Sequence, residues 1–261
     1  MEALLSIYRN RQLLWRSTVL ELKKQYAGSV LGVLWAVLGP ALLIGLYAAI
    51  YVVVFQVRPV ALTTGQYVLH VMSGLLPFMA FAGALSSGSQ SIRTSKEVLV
   101  STSYPPELLP VRAVLVASGP LLFGVPIIAI AAAVIVGPSW TMLLLPVVML
   151  FQILFSCGIA WMLSLLTLAV KDIQHILQYI IISLLVVTPI AYTQDMVPSR
   201  IEPVLLINPL YYFVRMYQHA LVYQTMPGVG VGVGFLLLGW LVSLIGFKVF
   251  SRVKQVFYDY A

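Results

Sequence analysis

His70, His175 and His219 are the only histidines in this chain, and so the only side chains of that kind able to act as a general base. No Gly-x-Ser-x-Gly run is present to position a serine beside one of them. No His-Glu-x-x-His or Cys/His cluster exists either, which excludes a zinc protease on ligand count. No glycine-rich loop runs into Lys-Ser or Lys-Thr, so the chain has no cradle for nucleotide phosphates. Cys157 is the single cysteine; alone it forms neither an internal disulfide nor a four-ligand metal site, and it reads as a small core hydrophobe. His70, isolated in an apolar run, reads as structural rather than as a ligand.

The elements that would have to position these residues are apolar helices. Of 261 residues, 61% are hydrophobic and 9% charged, whereas a soluble domain carries about 25% charged residues. The composition is that of an all-α polytopic membrane protein. No basic-led short apolar stretch with a small-residue cleavage site opens the chain, so no removable signal peptide is expected. Charge-free windows run over 25–57, 59–92, 113–170, 173–194 and 216–247. One crossing takes about 20 residues, so the third window holds two crossings, broken at Gly137-Pro138-Ser139-Trp140. Six transmembrane helices are expected. Twelve of the basic residues fall before, between or after them on one side, and Arg58, Arg200 and Arg215 on the other. The positive-inside bias puts both termini in the cytoplasm and explains the net charge of +7 without a nucleic-acid partner.

Three regions are expected: an amphipathic interfacial helix over 1–28, a six-helix transmembrane domain over 29–250, and a cytoplasmic tail over 251–261. In the first, Tyr8, Trp15, Val19, Leu22 and Tyr26 recur at helical spacing, with Arg9, Arg16 and Lys23 every seven residues beside them. Such a helix lies in the headgroup plane, apolar side down. In the first crossing Pro40 should bend the helix, and Tyr47, Tyr51 and Phe55 share a face that lines a path or belongs to the aromatic belt. The second crossing ends with Gly83, Ser87 and Ser91 on one face, which either packs tightly or borders a water-filled cavity. The third and fourth crossings are rich in glycine and proline, and the fifth runs from about Ile173 to Tyr192. The stretch 195–227 mixes charges, prolines and aromatics; it reads as short re-entrant helices broken near Asn208-Pro209 and dipping into the outer leaflet.

Between the second and third crossings lies 93–112, RTSKEVLVSTSYPPELLPVR. Its apolar Val98-Leu99-Val100 is bounded by charges and prolines. It is either a knob covered by a soluble partner or a loop that packs back on the bundle. The charge-free windows also lack the acids and bases that an ion-coupled transporter keeps in its path, so the energy for moving anything is expected to come from elsewhere.

KKQYAGSVLGVLWAVLGP (Lys23–Pro40), GLLPF (Gly74–Phe78), YPPELLP (Tyr104–Pro110), KDIQHI (Lys171–Ile176) and INPLYY (Ile207–Tyr212) stand in the order seen in type-2 ABC transporter permeases. The chain resembles the polysaccharide exporters among them, which move lipid-linked O-antigen, capsule or teichoic acid chains. The resemblance implies a homodimer in the inner membrane paired with two copies of an ABC ATPase. It implies that ATP and magnesium sit in that partner and that this chain binds no cofactor. Lys96, Glu97, Leu99, Tyr104, Pro105, Pro106 and Glu107 would couple to the ATPase. Arg9, Trp15, Arg16, Lys23, Lys24, Lys171 and Asp172 would form the inner surface, where the lipid-linked glycan and membrane lipids meet the protein. Tyr47, Tyr51, Phe78, Phe81, Tyr192, Asn208, Tyr211 and Tyr212 would border the translocation path or outer gate. Two departures stand out: Val100-Ser101-Thr102-Ser103 where the family tends to be basic, and Lys171-Asp172 where Arg-Asp is common, which loses bidentate geometry. The alternatives are a permease of the same type for a drug or small lipid, and an intramembrane enzyme acting on lipid-linked sugars, which would need an acid or base in the bilayer.

Overall fold

A computed structural model describes residues 7–50, 62–96, 99, 104–170, 172–193, 196–197, 200 and 202–260, and its regular elements are all helical. In chain order they are α1 (Arg11–Gln25), α2 (Trp35–Ala49), α3 (Thr64–Thr94), α4 (Leu108–Ala117), α5 (Val125–Ile135), α6 (Leu145–Ala169), α7 (Ile173–Val187), α8 (Glu202–Ile207), α9 (Pro209–Gln218) and α10 (Val229–Tyr260). α3 is the axis on which the others pack: its apolar window is 83% buried, against 39% for that of Trp140–Ala169 and 22% for that of Val229–Val253. Its start is fixed by a capping box, in which Thr63 accepts from the Gln66 N–H and Gln66 accepts from the Thr63 N–H.

Among the described residues three helices are long and apolar enough to cross a bilayer: α3, α6 with its leading turn, and α10. A fourth crossing arises if α4 and Pro120–Ile135, bent by 40° at the break between them, form one span. That break begins with Ser118, whose hydroxyl donates back to the Val114 carbonyl, and continues into a π-turn over Pro120–Gly124. It is the irregularity expected from the glycine and proline content. α2 and α7 are shorter. Fifteen residues rise about 22 Å, less than the hydrocarbon thickness of about 30 Å. The part of the first crossing beyond Ile50 lies outside the described residues.

The structure moves several expected boundaries. α7 ends at Val187, not near Tyr192, because Pro189 removes a backbone donor and Thr188 turns extended. The segment expected as a cytoplasmic tail continues α10 without a break to Tyr260, and Phe250, the residue just before it, is fully buried. Helix also resumes at Leu108 inside the stretch read as a polar connection, and Leu108 and Leu109 are fully buried. The breaker at Gly137–Ser139 and the division at Asn208-Pro209 stand where the sequence put them.

Two aromatic-rich cores fill the bundle. In one, Phe81 of α3, Phe155 of α6 and Phe213 of α9 form a chain, with ring centroids 5.6 and 5.1 Å apart. In the other, Trp161 of α6 meets Phe247 of α10 edge-on, beside Leu108 and Phe250. Between them α6 and α10 approach backbone to backbone. A Cβ at Gly246 would collide with the Gly158 carbonyl, and one at Gly158 with the Val242 carbonyl. Small residues at a helix crossing allow dispersion contacts that apolar solvent does not replace. Gly246→Ala should therefore lower stability by about 1–3 kcal/mol, read as an earlier thermal transition in detergent. Gly230→Ala, where the new Cβ meets nothing within 4 Å, should leave the transition in place.

Candidate functional site

A groove of about 830 Å³ opens between α1, α2, α3 and the break after α4. Glu21, Lys24, Gln25 and Tyr26 of α1 and its following turn give it a polar rim, while Leu43, Leu76 and Met79 give it an apolar lining. Its narrow walls are Gly39 of α2, Gly83 and Ser87 of α3, and Ala117 and Gly119. A cleft polar at one end and apolar along its length suits an amphiphile better than a small polar solute. The small-residue face of α3 thus serves two purposes. Gly83 and Ser87 border the groove, and Gly83 also packs against Ala117 of α4.

α1 rests on the bundle through Leu14 and Thr18, which are buried, and not through its aromatic stripe. Trp15 is 68% exposed and Tyr8 66%. Those rings are exposed, as are Arg9, Arg16, Lys23 and Lys24, the last of them at the groove rim. Asp172 is also exposed; Lys171 lies outside the described residues.

The connection between α3 and α4 is pinned at both ends. Near α3, the Arg112 Nη2 donates to the Ser95 hydroxyl at 2.9 Å. Before α4, the Trp161 Nε1 donates to the Glu107 carbonyl at 2.9 Å. Tyr104 lies between these points, its hydroxyl 2.9 Å from the Ser17 Oγ of α1 and its ring 5.9 Å from the Arg112 guanidinium carbon. Of the residues expected to meet a partner, Lys96 is exposed, Leu99, Tyr104 and Pro105 are half-buried, and Pro106 and Glu107 are buried. Glu97 lies outside the described residues, and Leu99 and Tyr104 pack against the Trp161 core.

The aromatics expected along a path are dispersed. Phe78 and Phe81 are buried in the core, as is Tyr211. Tyr212 donates to the Leu206 carbonyl at 2.9 Å and Tyr192 to the Val187 carbonyl at 2.6 Å. Asn208 caps α9 by accepting from the Leu210 N–H and donates to the Thr188 hydroxyl at 2.9 Å. The Tyr47 side chain and all of Tyr51 lie outside the described residues. None of the described ones lines the groove.

Sequence reasoning missed a buried polar cluster far along α3 from the groove. His70 is fully buried and not isolated: Gln218 Nε2 lies 3.3 Å from its Nε2, and the Tyr223 hydroxyl 3.3 Å from its Nδ1. Gln218 also donates to the Pro189 carbonyl at 2.7 Å, and Tyr67 to the Ala191 carbonyl at 2.8 Å. Arg215, counted from sequence among the outer connections, is 8% exposed, with its guanidinium over the Tyr223 ring. Together these side chains strap the irregular 188–193 segment to α3 and α9. The signal was there in the sequence, as Gln218 in an apolar run, but no pattern pairs it with His70.

Comparison with known proteins gives a consistent result. A family model described as ABC-2 type transporter matches residues 11–222. An O-antigen export system permease protein RfbA of Klebsiella pneumoniae is 25% identical over 240 residues, 91% of this chain and 90% of that protein. Another of the same name from Myxococcus xanthus is 27% identical over 224 residues, 85% of this chain and 84% of that protein.

The strap makes a measurable demand on Gln218. Gln218→Leu keeps the bulk but leaves the buried Pro189 carbonyl without its donor, at a cost of about 1–3 kcal/mol. The expected result is an earlier thermal transition of the purified protein; an unchanged transition would mean that the carbonyl finds another donor.

Proposed function

Because the chain belongs to the ABC-2 type transporter family, we infer that it is the membrane-spanning permease subunit of an exporter that carries lipid-linked polysaccharide across the cytoplasmic membrane. The observation that carries this reading is the groove beside α1, whose polar rim and apolar lining match a glycan joined to a lipid carrier. The relatives' printed description as O-antigen export permeases supports the same substrate class.

In this reading α2 and α7, the two short apolar helices, also cross, which with the three long helices and the bent α4–α5 pair makes six crossings. With the basic residues gathered on one side, both termini lie in the cytoplasm. α1 then lies at the inner leaflet, Tyr8 and Trp15 toward the headgroups. The exposed Lys96 and half-buried Leu99, Tyr104 and Pro105 form the docking point for a separate ABC ATPase, which supplies ATP and magnesium. α7 leaves Ile176, Tyr179, Ile182 and Val186 uncovered, and a second copy of the chain covers part of that face in a homodimer. The strapped segment and the short helices after it form the outer gate.

Three measurements test this reading. Deleting the chain should abolish surface polysaccharide staining while the lipid-linked polymer accumulates inside the cell. A tagged chain should co-purify with an ATPase and hydrolyse no ATP without it. A photo-cross-linking residue at position 99 should capture that ATPase; export by the isolated chain under an ion gradient alone would reject the assignment.

A further inference from the structure

The groove and the coupling connection meet on one helix. Ser17 of α1 contacts Tyr104, and Glu21, Lys24 and Gln25, the next two turns of the same helix, form the groove rim. Four residues along a helix span about 6 Å, so the contact and the rim belong to one rigid element. We infer that the Tyr104–Ser17 hydrogen bond is the latch by which displacement of the α3–α4 connection moves that wall of the groove. The inference rests on the reading of Lys96, Leu99, Tyr104 and Pro105 as the ATPase docking point.

The direction of transmission follows from what holds each end. Glu107 is fixed to α6 through Trp161, and α4 beyond it is buried against α3 and α6. A push on the connection is therefore resisted on its α4 side. Tyr104, three residues before that anchor, is the point from which motion passes to α1. The Ser17 hydroxyl donates to the Leu14 carbonyl at 3.0 Å, so in the contact with Tyr104 it accepts and the phenol donates. Elsewhere on the α1 docking face, Leu14 packs by apolar contact and Thr18 turns its hydroxyl back to the Leu14 carbonyl. Apolar contact tolerates sliding, whereas a hydrogen bond weakens steeply with distance and angle. Tyr104 and Ser17 are positioning residues, acting on the groove through α1.

The test uses the full chain with its co-purified ATPase, in cells for export and in membranes for hydrolysis. Ser17→Ala removes the acceptor from a residue outside the docking point. It should leave the amount of complex and its ATPase rate unchanged while lowering polysaccharide exported per ATP hydrolysed. A net hydrogen bond corresponds to a shift of roughly two- to tenfold. Ser17→Thr keeps the hydroxyl and should restore the ratio. Tyr104→Phe should lower it by the same factor, and the double variant no further, because each removes the same bond. A wild-type ratio in Ser17→Ala, or effects that add in the double variant, would overturn the latch. If Tyr104→Phe loses the ATPase, the phenol also serves the partner contact, and the ratio in Ser17→Ala decides the latch. If the unaltered chain captures no ATPase, the functional reading fails, and that outcome is distinct from any of these.

Discussion

In an apolar medium every backbone N–H and C=O must find a partner inside the protein, and the irregular parts of this bundle are arranged around that requirement. Where the chain departs from regular helix, or a proline interrupts one, a side chain from another element donates to a carbonyl there. Gln152 of α6 donates to the Pro77 carbonyl inside α3 at 2.7 Å. Trp161 serves the Glu107 carbonyl ahead of α4. Thr141 donates at 3.0 Å to the Ala220 carbonyl in the π-turn after α9. Gln218 and Tyr67 serve the Pro189 and Ala191 carbonyls of the 188–193 segment. These donors are buried, and each ties a break in one helix to the face of another. The breaks are thus fixed points of the packing, and the bundle keeps its shape because of them.

This explains which features were legible in the sequence. Helix-breaking residues announce themselves, so the division at Asn208-Pro209, the turn at Gly137–Ser139 and the irregular third crossing could be read directly. Their partners could not, since nothing local links Gln152 to Pro77 or His70 to Gln218. Hydropathy also treats a charge as a mark of water. By that rule Arg215 and Glu107 were placed in connections, whereas both are at most 9% exposed. The end of α7 was overrun for the opposite reason: 188–193 is apolar enough to belong to a crossing, and only the Thr188-Pro189 step stops the helix. Of the groove, the small-residue face of α3 was visible but its partner was not. Gly83 and Ser87 needed α1 and α4 brought alongside before the choice between packing and cavity could be resolved into both.

The buried Arg215 and His70 bear on where the driving force comes from. The charge-free windows suggested an interior without ionisable groups, and the structure qualifies that. An arginine stays protonated in proteins, so Arg215 cannot cycle a proton. His70 has polar neighbours at both ring nitrogens and no exposed surface. A relay residue must exchange protons with water on each side; one enclosed in this way carries structure. The cluster is therefore consistent with a machine that takes its energy through a cytosolic contact.

The groove itself depends on a local backbone feature. The reversal from α1 to α2 occupies the few residues between Gln25 and Trp35. Gly28 and Gly32 both take positive φ, +80° and +53°, and a Cβ at either would meet nothing within 4 Å. Space does not require glycine there; the left-handed backbone does. With the turn made this tightly, the end of α1 and the start of α2 face each other across a gap, and the bend after α4 closes its third side. The polar rim comes from the last turn of α1 and the apolar lining from α2 and α3, so the amphiphilic character of the site follows from the order of the chain. A longer linker would let α1 drift from α2, and the cleft would lose the wall that α1 provides.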